Sequence, residues 1–291
     1  MLTENTMIPF RTFVSLATAI LSAALLSGCL FAGPNNPGNP GGNPPREGER
    51  TLQDLIDEAE AGDPGVQFYL GWMYETQRDE PQSNYEARRW YRMAAEQDYI
   101  EAQYRLAVLY DLGRGIEQDH EKAAEWYRRA GKLGDAKSQY NLAMMYDYGE
   151  GVEQDQSRAL QWYLKAAEQG YAPAQNNLGV LYANGEGVEL DSAEAVRWYR
   201  QAAMQSYARA QYNLGMMYYY GRSVRQSFVE AYAWCYLSMV NGGDPEALRY
   251  IVQYIDSDDV RRGLRRAGEL QREMRRPWPP PEEPPEEPGL D

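Results

Sequence analysis

Few residues in this chain have types that invite a chemical reading: one histidine, two cysteines, some paired glycines and many carboxylates. His120 stands without another histidine or cysteine near it, which suits a surface residue better than a metal ligand or a general base. Cys29 and Cys235 are too few for a disulfide framework once Cys29 is otherwise engaged, and Cys235 reads as a small buried apolar side chain. The pairs Gly113-Arg-Gly115, Gly149-Glu-Gly151 and Gly185-Glu-Gly187 follow helical patterns rather than strands, and two of them centre on glutamate. They are therefore not phosphate-cradling loops. The acidic residues track exposed helix positions, and no nucleophile is paired with a base. The chemistry legible here excludes a catalytic, cofactor-binding or metal-binding assignment, and no cofactor is expected.

The asparagines and tyrosines carry a different chemistry, that of recognition, and their positions follow from the elements that hold them. The tryptophans Trp90, Trp126, Trp162, Trp198 and Trp234 recur every 36 residues. The segment Ser138-Gln-Tyr-Asn-Leu-Ala-Met-Met-Tyr146 returns as Ala102-Gln-Tyr-Arg-Leu-Ala upstream and as Ala174-Gln-Asn-Asn-Leu-Gly and Ala210-Gln-Tyr-Asn-Leu-Gly downstream. A fixed period of this size marks a stacked array of small units, none able to bury its apolar face alone. Ser138, Leu142, Met145 and Tyr146 share one helical face, as do Ala159, Trp162, Tyr163 and Ala166. Between the two helices, Gly149 and Gly151 permit positive φ and Asp155 can cap the second helix. Each unit is predicted to be a helix-loop-helix hairpin. Ala143, Gly179 and Gly215 leave room for the partner helix, while Trp and Tyr fill the volume beside them.

This pattern of Ala-Gln…Leu-Gly…Tyr, Gly-x-Gly-Val, Asp and Ala…Trp-Tyr…Ala-Ala resembles the Sel-one-like repeats, a subclass of tetratricopeptide-like α-solenoids. The fold expected is all-α: a right-handed α-solenoid of helix-loop-helix repeats with degenerate helical caps at both ends. Five repeats span 63–243, after a capping helix over 51–62 and before capping helices over 244–276. Gln77 replaces the first loop's glycine, so that loop is expected to be irregular. The fifth unit departs at Gly221-Arg-Ser223 and Trp234-Cys235. The last helix is expected to turn Val260, Leu264, Ala267 and Met274 to one face.

Outside the repeats, an apolar run from Thr12 to Leu26 ends in Leu26-Ser-Gly-Cys29. This resembles the lipobox of bacterial lipoprotein signal peptides, implying removal of 1–28 and acylation of Cys29. Glu4 sits poorly in a basic leader, which leaves Met7 as a second candidate start. Leu30, rather than aspartate, after the cysteine points to the outer membrane of a Gram-negative envelope. Residues 29–50 read as a Pro/Gly/Asn tether, and 277–291 as an acidic, proline-rich tail around Trp278. With a net charge of -14, the chain is not expected to bind nucleic acid.

The resemblance implies a scaffold or adaptor that takes a protein or peptide along the concave side, lined by the first helix of each unit. Residues off the buried stripe of that helix, expected to point wholly or partly into the groove, are Tyr140, Asn141, Met144, Asp147 and Tyr148, with Asn177, Asn184, Tyr212, Asn213, Met216, Tyr219 and Tyr220 downstream. Asn141, Asn177 and Asn213 are expected to form an amide ladder suited to an extended backbone, unless they satisfy the backbone of the neighbouring helix instead. Some cysteine-rich relatives have been called β-lactamases, but the paired cysteines of those proteins are absent here.

Overall fold

The computed structural model of the chain describes residues 51–76, 81–114 and 116–275. The leader, Cys29, the tether, Gln77, Gly115 and the tail with Trp278 lie outside the described residues. The chain divides into two units, Met1–Leu55 and Ile56–Asp291. Only 51–55 of the first are described, as the opening of α1, and the architecture below belongs to the second.

Every element among the described residues is a helix. In order they are α1 (Leu52–Glu60), α2 (Pro64–Thr76), α3 (Pro81–Ala95), α4 (Ile100–Leu112), α5 (His120–Lys132), α6 (Ala136–Tyr148) and α7 (Gln156–Glu168). There follow α8 (Ala172–Asn184), α9 (Ser192–Met204), α10 (Ala208–Tyr220), α11 (Phe228–Val240), α12 (Glu246–Val252) and α13 (Ser257–Met274). The pairs α2/α3, α4/α5, α6/α7, α8/α9 and α10/α11 are hairpins, and each second helix packs on the first helix of the next pair. This is an α-solenoid. Beyond the last hairpin, α12 and α13 both pack on α11.

The local signals act where the sequence places them. Gly113, Gly149, Gly185 and Gly221 close first helices at φ 64 to 74°, each returning its N–H to a helix carbonyl. Asp119, Asp155 and Asp191 cap second helices by accepting backbone N–H bonds, and Ser227 does so in the fifth unit. The second loop glycine is needed for space as well as for conformation. A Cβ on Gly151, at φ 66°, would lie 2.2 Å from the His120 carbonyl oxygen of the preceding unit. In the divergent fifth loop Ser223 adopts the same left-handed region, φ 53°, so the loop keeps its form at some strain.

The residue enclosed in each hairpin is the tyrosine after the tryptophan. Tyr91, Tyr127, Tyr163 and Tyr199 are fully buried, whereas Trp126, Trp162 and Trp198 are half-buried. The Lys165 ammonium lies 4.2 Å from the Trp162 ring centroid, on its solvent side. Tyr91 and Tyr199 lie so close to Gly71 and Gly179 that a methyl on either glycine would sit 2.5 Å from the ring. In the fifth unit Cys235 takes the tyrosine position against Gly215, buried, its thiol pushed up by burial to about 12.

On α13 the buried face differs from the expected one. Gly263, Ala267 and Leu270 are buried and Leu264 is 42% exposed. Hydropathy favours Leu264, but only glycine at 263 admits the Tyr232 ring, 2.6 Å from where its Cβ would stand.

A buried glutamine locks each junction. Gln67, Gln103, Gln139, Gln175 and Gln211 donate Nε2 to the carbonyl eight residues earlier, at Ala59, Ala95, Gly131, Ala167 and Ala203 (2.8–3.1 Å). Thus α1 ends against α2 as a second helix ends against the next unit. Four of these glutamines also accept from an amide 30 residues later, Gln97, Gln169, Gln205 or Asn241 (2.7–2.9 Å). The exception is Gln103: residue 133 is leucine, 47% exposed, and Gln103 Oε1 is buried with no partner.

Candidate partner-binding groove

Tyr140 on α6 is the centre of the candidate surface. Its ring lies 5.8 Å from Tyr163 and 5.4 Å from Tyr171, the residue opening α8. Its hydroxyl also lies within electrostatic reach of Tyr207, Arg209 and Tyr148. Tyr171 similarly senses Tyr104 and Tyr207. Tyr104 with Tyr171, and Tyr140 with Tyr207, are electrostatic neighbours, while the ring contact that crosses a junction is that of Tyr140 with Tyr171. Burial raises the phenols of Tyr140, Tyr104 and Tyr207, and brings Tyr171 and Tyr148 to about 12, so the strip is neutral at physiological pH. Tyr148 is exposed at its edge.

The asparagines are already occupied. Asn141 hydrogen-bonds the hydroxyls of Tyr104 and Tyr127, and Asn177 Nδ2 donates to Tyr163 Oη at 3.2 Å. Asn213 Nδ2 donates to Asn176 Oδ1 at 3.0 Å, and Asn184 Nδ2 to Glu186 Oε1 at 2.9 Å. The partners are side chains of neighbouring elements rather than backbone groups. Met144 packs at the rim of the central core. Tyr212, Met216 and Tyr219 gather instead around Tyr232 and Cys235 at the C-terminal end, with Tyr220 exposed beside them.

One layer of carboxylates was not foreseen as such, and Asp147, expected in the groove, belongs to it. Glu75, Asp111 and Asp147, spaced by 36, stand opposite the buried tyrosines. Tyr91 Oη donates to Glu75 at 2.6 Å and Tyr127 Oη to Asp111 at 3.3 Å, and Asp147 stands near Tyr163 Oη. Asp111 also receives His120 Nδ1 at 3.0 Å, so the lone histidine has a carboxylate partner nine residues before it. Burial first, and Glu186 second, raise the Asp147 carboxyl above its ordinary value. The fourth unit carries Ala183 at this position, and the buried Tyr199 hydroxyl is left without a partner. The only signal for this layer was the 36-residue recurrence of an acid. No cluster of three metal-ligating side chains occurs among the described residues. What the surface offers is aromatic faces with hydrogen-bonded hydroxyls.

The family model of the Sel1 repeat matches residues 64–99, 100–135, 136–171, 172–207 and 208–238. Among solved structures the chain is similar to c5321, a protective antigen present in uropathogenic Escherichia coli strains and displaying an SLR fold. The identity is 32% and the TM-score 0.70, over 76% of this chain and 48% of that one, so this chain spans about half its length. It is also similar to a Sel1 repeat protein from Oxalobacter formigenes, at 28% identity and a TM-score of 0.66, over 75% of this chain and 92% of that one. No curated protein matches.

Proposed function

We infer the function from one premise: the chain belongs to the Sel1 repeat family, whose repeats generally serve as protein-interaction scaffolds. Within that role, the chain holds a protein or peptide against the inner tyrosine strip. It does so from a lipid anchor at Cys29 in the bacterial envelope, on the periplasmic side of the outer membrane. The observation that carries the groove reading is the run of Tyr104, Tyr140, Tyr171 and Tyr207 across four units, edged by exposed Tyr148. Tyrosine supplies rigid contact area with a polar tip and is favoured at interfaces. The reading of Cys29 rests on the Leu26-Ser-Gly-Cys29 motif alone.

Site-specific photocrosslinking in cells tests the groove. A p-benzoylphenylalanine at Tyr148 is expected to trap a defined partner that the same group at Glu125, exposed on α5, does not. Equal adducts from both positions would refute the groove. For the anchor, a fatty-acid probe is expected to label the wild type and not Cys29→Ala; unchanged labelling sinks it.

A further inference from the structure

At the C-terminal end of α10 the rings form a cluster that the 36-residue pattern does not explain. The Tyr219 ring centroid lies 5.0 Å from Tyr220, 5.6 Å from Phe228, 5.6 Å from Tyr250 and 6.4 Å from Tyr254. Tyr250 and Tyr254, delivered by α12 and the turn after it, lie 5.1 Å apart. Tyr220, Tyr250 and Tyr254 are 52%, 40% and 57% exposed. Exposed, mutually tilted rings form the kind of slots in which proline-rich segments dock, because the pyrrolidine ring lies flat on an aromatic face. The cluster is also flanked by cations. The Arg222 guanidinium sits 5.3 Å over the Tyr220 ring, Arg225 belongs to the same exposed loop, and exposed Arg249 precedes Tyr250. Two carboxylates are also close: Asp244 and Glu246 help raise the Tyr212 phenol, and Glu246 stands one turn before Tyr250 on α12.

The chain itself carries a segment of complementary chemistry. Residues 277–291 read Pro-Trp-Pro-Pro-Pro-Glu-Glu-Pro-Pro-Glu-Glu-Pro-Gly-Leu-Asp, prolines interleaved with pairs of glutamate. We propose that this acidic, proline-rich segment docks on the Tyr219, Tyr220, Tyr250 and Tyr254 cluster of its own chain, its glutamates facing the arginines.

The point of departure makes this reachable. Met274 Sδ lies 3.7 Å from Ser206 Oγ and 3.9 Å from Gln211 Nε2, so α13 ends beside the start of α10. The 13 residues of α10 rise about 20 Å to the cluster. At about 3.1 Å per residue, six or seven residues of extended polyproline chain cover that distance. Residues 277–283 are therefore long enough to span α10, which puts Pro284 and Pro285, with Glu282, Glu283, Glu286 and Glu287 beside them in sequence, within reach of the rings. A tether this short gives an effective concentration of order millimolar, enough to close a contact too weak to hold two separate chains. The docked segment covers Tyr220 and the outer side of Tyr219.

The test uses the full chain with p-benzoylphenylalanine in place of Glu283, irradiated at low micromolar concentration and mapped by mass spectrometry. Intramolecular crosslinks to 216–225 and 246–254 are expected. Their yield should fall about tenfold in the Tyr220→Ala, Tyr254→Ala variant and clearly in Arg222→Glu. Both sets of substitutions are at exposed positions and should leave circular dichroism unchanged. Crosslinks between two chains, crosslinks elsewhere on the solenoid, or a yield indifferent to both variants would overturn the proposal. Because Tyr148 lies in the third unit, a failed partner trap there leaves this outcome unaffected.

Discussion

Leu133→Gln should stabilise the protein, although it replaces an apolar residue with a polar one. Everywhere else in the array the position 30 residues after the junction glutamine donates to that glutamine, at 2.7 Å for Gln169 to Gln139. At the second unit the donor is missing and Gln103 Oε1 is buried without a partner. An unmet buried acceptor costs about 1–3 kcal/mol. Leu133 is 47% exposed, so trimming it forfeits about half of a leucine's burial, on the order of 1 kcal/mol. The balance is a gain of about 1 kcal/mol, or about 2–4 °C in melting temperature for a domain of this size. Gln169→Leu creates the same orphan at Gln139 and should lose a similar amount. Thermal melts followed by circular dichroism read both. Repeat arrays can unravel locally, so hydrogen exchange of the amides at 95–103 provides the local readout. If Leu133→Gln melts no higher and exchanges no more slowly, or if Gln169→Leu is neutral, the glutamine lock does not hold the units together.

Three further outcomes follow from the same geometry. Tyr199→Phe removes a hydroxyl that has no partner and should be neutral or slightly stabilising, whereas Tyr163→Phe, which breaks the bond from Asn177, should cost about 1 kcal/mol in denaturant melts; equal effects would contradict the assigned bond. Because the folded Asp147 carboxyl is raised, the folded state binds the proton more tightly, so its contribution to stability is lost as pH rises from the ordinary carboxyl value through the raised one. Asp147→Asn should therefore melt higher than wild type at neutral pH, the advantage vanishing in acid; a difference independent of pH would refute the shift. Cys235, buried with its thiol near 12, should resist iodoacetamide in the native protein and react on unfolding; rapid native alkylation would show the fifth unit opening locally.

The helices and their ends were legible because local chemistry fixes them. Gly149 and Asp155 act within a few residues of their own positions, and the stripe of Leu142, Met145 and Tyr146 is buried as its spacing requires. What was not legible depends on three helices at once. Gln139 was visible as a recurring letter, yet its role appears only when Gly131 and Gln169 converge on it. The Asp111 partnership of His120 is of the same kind, created by the hairpin. Leu264 misled because hydropathy ranks leucine above glycine, while close approach to Tyr232 selects Gly263.

That occupancy of the polar groups decides how the inner face can recognise anything. An asparagine ladder offered to a peptide backbone gains one hydrogen bond for each it forms. Asn177 and Asn213 each already spend one amide N–H, on Tyr163 Oη and Asn176 Oδ1, and wherever a backbone group displaces those bonds the exchange is near zero in net free energy. Worse, releasing Tyr163 leaves one of its bonds unmet in a site where burial is complete. The ring faces suffer no such exchange. Asn177 and Asp111 hold the buried Tyr163 and Tyr127 by their hydroxyls, and the Tyr140 ring packs on Tyr163, so part of the ring order is set before anything binds. If the proposed groove takes a partner, its affinity would come from aromatic area around Tyr140, Tyr148 and Tyr171, with Asn177 acting through the buried Tyr163 on which Tyr140 packs.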